Sequence, residues 1–523
     1  RDSKSEEEAK EVKEVDEIKE HEEEEEKQEE EEGLSATERM ESLLVTVQLQ
    51  AYEQLVAMVE GGVMEWKELE DELEFENFSQ EDVKFLSSCT GKTIVVMSCL
   101  DDEGTIGTWV ISPCEEEVVF CRNDGKRSLE GHKYTWTTLL DDVVNNLPHA
   151  LMSAEEKDER FSTSGQGRLF RCLYDLCWRQ VADQIDKNTQ EVVISPVGVL
   201  TLFPWNLMCD ENGCPLLQRH VLTLEPCLKA LSFLLHNHRS DENSASSSYL
   251  SVPVPLGKSK EVSSDPSALV VVNPSNRLSA QQRLEDSSDS DDEEQEERED
   301  ASGGRRERAQ ASNNPSPLPP PSPPSQVAGH LARCGFAVEE LSEEMASVEY
   351  VGKAAAMTRW IHVSAAVELG GKGGRVRVFL SEGCLSSGEK DWGQVDPPRL
   401  VQDFRDRLFG SSLVLAGYGH PDLMEEERRS GTRQLELELE RRLKAWLAMV
   451  GCFRIKLGVR RLIFPVLLSQ EAQVLRLMDC MYSNLAQGQE LSAAALTGAM
   501  KQVGQEGKSW REVCGGFMYL GSE

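Results

Sequence analysis

The stretch EVVISPVGVLTLFPWNLMCDENGCPLLQRHVLTLEPCLKAL (Glu191–Leu231) holds the punctuation of a buried-strand architecture. Val192–Ile194 is a short β-branched run that reads as a strand buried on both faces. Pro196-Val197-Gly198 is a turn, since proline presets its own backbone angle and glycine tolerates a reversal. A Leu-x-x-x-Pro step follows, Leu200 to Pro204, then an acidic-Gly turn, Asp210 to Gly213. Pro226-Cys227 stands near the start of a further helix.

Working outward, the same grammar repeats. Upstream, KTIVVMSCL, GTWVISP and EEVVFCR read as a meander joined by turns such as Asp101-Asp102-Glu103-Gly104. RLFRCLYDLCWRQVADQID reads as a helix with Leu169, Cys172, Leu173, Leu176 and Val181 inward. Residues 36–75 read as helix, with Leu44, Val47, Ala51, Leu55 and Met58 on one face. Downstream, the strands TRWIHVS, SSLVLAG, RRLIFPVLL and GGFMYLG alternate with helices, QEAQVLRLMDCMYSNLAQ among them. Buried strands alternating with helices predict an α/β sheet covered on both faces. No internal repeat is present.

The 523 residues carry a net charge of −38, concentrated in two places. Residues 1–32 hold 18 acids against 6 bases, and residues 285–300 hold 11 acids against one arginine. Such runs bury too little apolar area to offset chain entropy, which predicts disorder or a charged helix over 1–33. From about 241 to 330, Ser, Asp, Glu and Pro dominate and predict a solvated insertion, interrupted by SALVVVNPSN, a core strand at about 267–274. The resulting map is an acidic tail (1–33), a helical lead-in (34–80), a first half-domain (81–240), the insertion (241–330) and a second half-domain (331–523). Charge of this sign argues against a nucleic-acid partner. No run has the length of a membrane span. Fourteen cysteines scattered through apolar runs fit a reduced, intracellular and cytoplasmic setting. A start at Arg1 with no apolar leader reads as the C-terminal part of a longer protein.

The order of these motifs resembles the CHAT domain, a caspase-like fold often found C-terminal to tetratricopeptide repeats. LVVVNPSN resembles the family's next strand, TRWIHVSAA its histidine-bearing strand, and SSLVLAGYGHPD the strand that ends in the nucleophilic cysteine. MYSNLAQGQELSAAAL and SWREVCGGFMYLGS match the closing helix and strand. The resemblance covers roughly residues 80–523 apart from the insertion, and implies a caspase-like sheet and a cysteine–histidine dyad. The family pattern His-small-small-small-His-Gly reads here His362-Val363-Ser364-Ala365-Ala366-Val367, so Ala366 stands at the second histidine. Tyr418 stands at the cysteine. The family tryptophan after LIFPVLL is also absent.

A dyad works because imidazole takes the thiol proton and leaves a thiolate. Alanine offers no lone pair, and an ordinary tyrosine with a pKa near ~10 is roughly a thousandth phenolate at pH 7. The resemblance with these departures implies a pseudopeptidase that binds protein partners, peptide segments in its cleft or upstream tetratricopeptide repeats. The alternative is a cysteine peptidase with a displaced dyad drawn from Cys384 and His420. A plain scaffold working through its acidic tails is a third reading. His362, inside an apolar strand, reads as a hydrogen-bonded core residue, and Pro196, Gly198 and Pro204 as structural turn residues. Cys209, Cys214 and His220 lack the tight pairs and fourth ligand of a zinc site. LGGKGG lacks the order of a phosphate loop. No metal or other cofactor is expected. Ser287, Ser288 and Ser290, set among acids, are candidate phosphorylation sites. The proline run 315–324 reads as polyproline II, a spacer or a ligand for an aromatic groove.

Overall fold

A computed structural model describes residues 40, 42–51, 80–113, 118–148, 163–186, 189–229, 231–232, 267–272, 326–371, 375–380, 383–384, 390–391, 394–404, 407–408, 410–419, 435–468, 471–485, 492–505 and 517–521. The expectations for 1–33, for most of 241–266 and 277–326, and for the proline run fall outside these residues.

The first half of the sheet is built from β1 (Thr93–Cys99), β2 (Ile106–Ile111), β3 (Val119–Asn123), β4 (Glu191–Pro196) and β5 (Val221–Leu224). The second half contains β6 (Ser267–Val272), β7 (Ala337–Ser342), β8 (Trp360–Gly371), β9 (Arg375–Phe379), β12 (Gln394–Val395), β13 (Ser412–Tyr418), β14 (Arg461–Pro465) and β15 (Phe517–Gly521). A separate two-stranded ribbon joins β10 (Gly383–Cys384) to β11 (Lys390–Asp391). The main path runs β12-β9-β8-β13-β14-β15-β5-β4-β1-β2-β3, with β6 on β8 and β7 on β6.

Polarity divides the sheet in two. Strands β7, β6, β8, β13 and β14 are mutually parallel, and so are β15, β5, β4 and β1. The β14–β15 pair is antiparallel and joins the two blocks. Each block therefore presents its strand C-termini on the rim opposite to the other's. The meander predicted from KTIVVMSCL onward is β1–β2–β3, antiparallel throughout.

Among the helices are α1 (Gln80–Thr90), α2 (Gly125–His132), α3 (Thr163–Leu173), α4 (Gln326–Arg333), α5 (Val348–Ala355), α6 (Leu435–Gly451), α7 (Glu471–Leu485) and α8 (Ala493–Gln505). Burial shows that helices cover both faces, as the apolar runs predict. Val95, Met97, Val192 and Ile194 enter the main core, whereas their strand neighbours Ile94, Val96 and Val193 enter a second cluster with Leu44, Val47 and Ala51. Alternate residues of a strand point to opposite faces, so each face has its own apolar cover. The second cover is a helix over 42–51, anchored by the buried Gln48: its Oε1 accepts from the Leu228 N–H at 3.1 Å. Of the helix expected over 36–75, residues 42–51 are helical and Leu55 and Met58 fall outside the described residues; α1 follows.

The opening stretch folds as read. Gly198 has φ +64°, where a side chain is strained, and turns β4 into a 3₁₀ segment, Gly198–Leu202. Pro204 stands before a second such turn, Trp205–Leu207, which buries Trp205. The Asp210 carboxylate accepts the N–H groups of Asn212 and Cys214, at 2.8 and 2.9 Å, and pairs with Arg219.

Candidate active site

β8 and β13 run parallel and in register from Trp360↔Ser412 to Ala366↔Tyr418. Trp360, His362, Ser364 and Ala366 share one face of β8 by the two-residue period, opposite Val414, Ala416 and Tyr418. The histidine and cysteine positions implied by the resemblance are thus direct neighbours. Their contents are 1% and 2% exposed.

One expectation changes. The sequence reading ends the strand TRWIHVS at Ser364, before the small residues Ala365-Ala366 and the glycines of LGGKGG. Instead β8 continues to Gly371. The reason is β9, which pairs antiparallel with it from Ala366↔Phe379 onward. β6 leaves β8 at Val272↔Ser364, and β9 takes over two residues later. Ala366 is therefore flanked by strands on both sides, with Phe379 buried beside it.

Beyond Ala366, Val367 stands where the family pattern has glycine. Gly417, opposite Ala365, makes room for it: a Cβ on Gly417 would lie 2.7 Å from Val367 Cγ2 and 3.1 Å from Pro465 Cγ. The isopropyl group and the missing side chain are complementary.

His362 is wholly buried. Its Nδ1 lies 3.0 Å from the Tyr482 hydroxyl of α7, whose oxygen also lies 3.4 Å from Trp360 Nε1. An indole N–H can only donate, so the Tyr482 oxygen accepts it, and the hydroxyl proton is free to go to Nδ1. Nε2 has no hydrogen-bond partner among the described residues. Burial pulls the imidazole down to about 3, so it is neutral at pH 7. The ring lies edge-on to that of Tyr482 in α7.

The other named residues are dispersed. Cys384 lies in the β10–β11 ribbon, where its backbone pairs with Lys390. His420, Ser287, Ser288 and Ser290 lie outside the described residues. Cys209 Sγ sits 3.1 Å from the Leu207 carbonyl, Cys214 Sγ 3.2 Å from Gln218 Oε1, and His220 Nδ1 3.1 Å from the Thr189 carbonyl. Among the described residues no group of three metal-binding side chains converges. Burial raises the thiols of Cys99, Cys172 and Cys209 to about 12 and pushes those of Cys177 and Cys452 well up, away from the thiolate.

The family model of the CHAT domain matches residues 167–359 of this chain. The CHAT match ends one residue before β8, so the places of Ala366 and Tyr418 in the CHAT pattern rest on strand order and register. Among solved structures, the chain is similar to the Arg-specific cysteine proteinase gingipain R, at 10% identity over 74% of this chain and 75% of that one, with a TM-score of 0.33. It is similar to the Saccharomyces cerevisiae separase–securin complex at 8% identity, over 94% of this chain and 34% of that one, with a TM-score of 0.44. The chain thus spans about a third of that separase-complex chain. It is also similar to the complex of Porphyromonas gingivalis RgpB pro- and mature domains, at 10% identity over 74% and 76%, TM-score 0.32. No curated protein sequence matches. Among the described residues no helix is long and apolar enough to cross a membrane.

Two features escaped the sequence reading. Glu225 and Arg454 form a buried ion pair at 3.0 Å across 229 positions of chain. Asp175, in the π-helical turn Tyr174–Trp178 after α3, accepts from Arg171 Nε at 2.9 Å and lies 2.8 Å from His132 Nε2. Nothing in the spacing of these residues announces either pairing.

Proposed function

We propose that this domain is a pseudopeptidase: a caspase-like scaffold that binds protein segments and regulates or assembles partners without cutting them. The observation that carries this reading is the register of Ala366 and Tyr418. They occupy neighbouring places at which a dyad would act, and neither can supply an imidazole or a thiol. Their burial supports it, since a peptide carbonyl has no open approach to either side chain. The shifted thiols support it further, because burial disfavours the charged form that a cysteine nucleophile needs. The partners that fit are peptide segments or the helical repeats found upstream of CHAT domains in related architectures, an argument by analogy of fold.

The test is labelling of the intact protein with peptidyl chloromethylketones of varied sequence. The proposal expects every cysteine to react no faster than it does with a non-peptidic chloroketone. Peptide-accelerated modification of one thiol, lost on Cys384→Ala, would establish the displaced-dyad peptidase instead.

A further inference from the structure

At the rim opposite Ala366, where β8, β13 and β14 begin, three arginines gather. Arg359 precedes β8, and its carbonyl accepts the Ser412 N–H at 2.8 Å. Arg460 precedes β14 and Arg461 opens it, and their N–H groups lie 2.9 and 3.4 Å from the Ser411 carbonyl. Adjacent strands stand about 4.8 Å apart, so the three backbones fall within roughly 10 Å. Arg359 is exposed and the other two are half-buried. None makes an ion pair among the described residues, and the Nε atoms of Arg460 and Arg461 are shielded without a partner. Arg454, next to them, is already neutralised by Glu225 and donates to the Arg460 carbonyl. Met357, 78% exposed, flanks Arg359. Three arginines without an ion pair among the described residues are out of keeping with a chain of net charge −38.

We infer that this rim binds an acidic peptide segment, and that its occupant is residues 285–300 of the same chain. Those 16 positions carry 11 acids and one arginine, the charge complement of the rim. Twelve residues separate them from the end of β6, and 25 from the start of α4. A dozen residues reach about 40 Å when extended. β6, six residues long, spans about 20 Å, so a tether of that length is long enough to reach from one rim to the other. Intramolecular attachment gives the segment an effective concentration in the millimolar range, which favours it over an acidic peptide in trans. Phosphate on Ser287, Ser288 or Ser290 adds charge and acceptor oxygens that suit guanidinium.

The test compares the full chain with a variant in which every Asp and Glu of 285–300 is replaced by Asn or Gln. The probe is a fluorescent peptide of residues 285–300. The neutralised chain should bind it at least about tenfold more tightly than the unaltered chain, whose rim is already occupied. Binding should vanish in about 0.5 M salt, where screening is strong. It should also vanish on Arg359→Glu with Arg460→Glu; Arg359→Gln with Arg460→Gln is the milder pair should the reversal unfold the protein. Equal binding to both chains would mean that the rim is open and serves a separate partner. Binding untouched by the arginine changes, or absent altogether, would overturn the site, as would preference for an oligonucleotide over the peptide.

Discussion

Ala366 and Tyr418 are paired across parallel strands, Tyr418 as the last residue of β13 and Ala366 part-way along β8, and each is buried. Parallel strands place their carboxyl ends together, which is why α/β sheets collect functional residues there. Here that rim is closed by the chain's own β8–β9 hairpin.

The Gly417–Val367 fit predicts a reciprocal pair of effects. Gly417→Ala places a Cβ against Val367 Cγ2 and should cost about 1–3 kcal/mol, the range of overpacked cores. Adding Val367→Ala should recover part of that loss. Urea denaturation of the two single variants and the double variant checks it. Strict additivity would mean that the two positions do not press on one another.

His362 predicts a pH dependence. Its ordinary value is 6.5 and burial lowers it to about 3, so between these limits the unfolded chain binds a proton that the folded chain refuses. Stability from this group is full above about 6.5 and is lost as pH falls toward 3, with a slope of up to about 1.4 kcal/mol per pH unit. His362→Gln should flatten that part of the stability–pH curve. An unchanged slope would mean that the folded protein lets the imidazole charge.

The Glu225–Arg454 pair ties the end of β5 to the π-helical turn that follows α6. Both side chains are almost wholly buried, at 2% and 1% exposure. Glu225→Gln strands a buried guanidinium and should cost about 3–5 kcal/mol, more than Glu225→Leu combined with Arg454→Met. Chemical denaturation of the three forms decides it. A smaller loss in the single variant than in the double would contradict the account.

Much of this fold is written locally. SALVVVNPSN, caught between acidic and proline-rich stretches, declares itself a strand because no solvated loop needs four consecutive buried apolar residues, Ala268–Val271. EVVISP with its Pro-Val-Gly turn, and the β1–β3 meander, are equally explicit. The alignment of Ala366 with Tyr418 followed from the order of motifs. What the sequence hid is long-range. The extension of β8 to Gly371 depends on β9 as a partner, and no propensity in SAAVELGG distinguishes it from a turn. The reversal of polarity at β14–β15 is set by which edge the last strand finds. The cationic rim is assembled from the starts of separate strands, about 100 residues apart in the chain.

The central claim is tested most directly by rebuilding the dyad. Ala366→His with Tyr418→Cys should set imidazole and thiol side by side, and Tyr418→Cys alone is the control. Thiolate absorbance near ~240 nm, followed against pH, reads the thiol without needing reagent access. A thiol free of perturbation titrates near ~8.5, and a neighbouring imidazolium lowers it. The account predicts a thiol pKa at least about one unit lower in the double variant than in the control, whether or not proteolysis returns. Identical titration curves for the two variants would mean that positions 366 and 418 do not face one another, and the pseudopeptidase reading would fall.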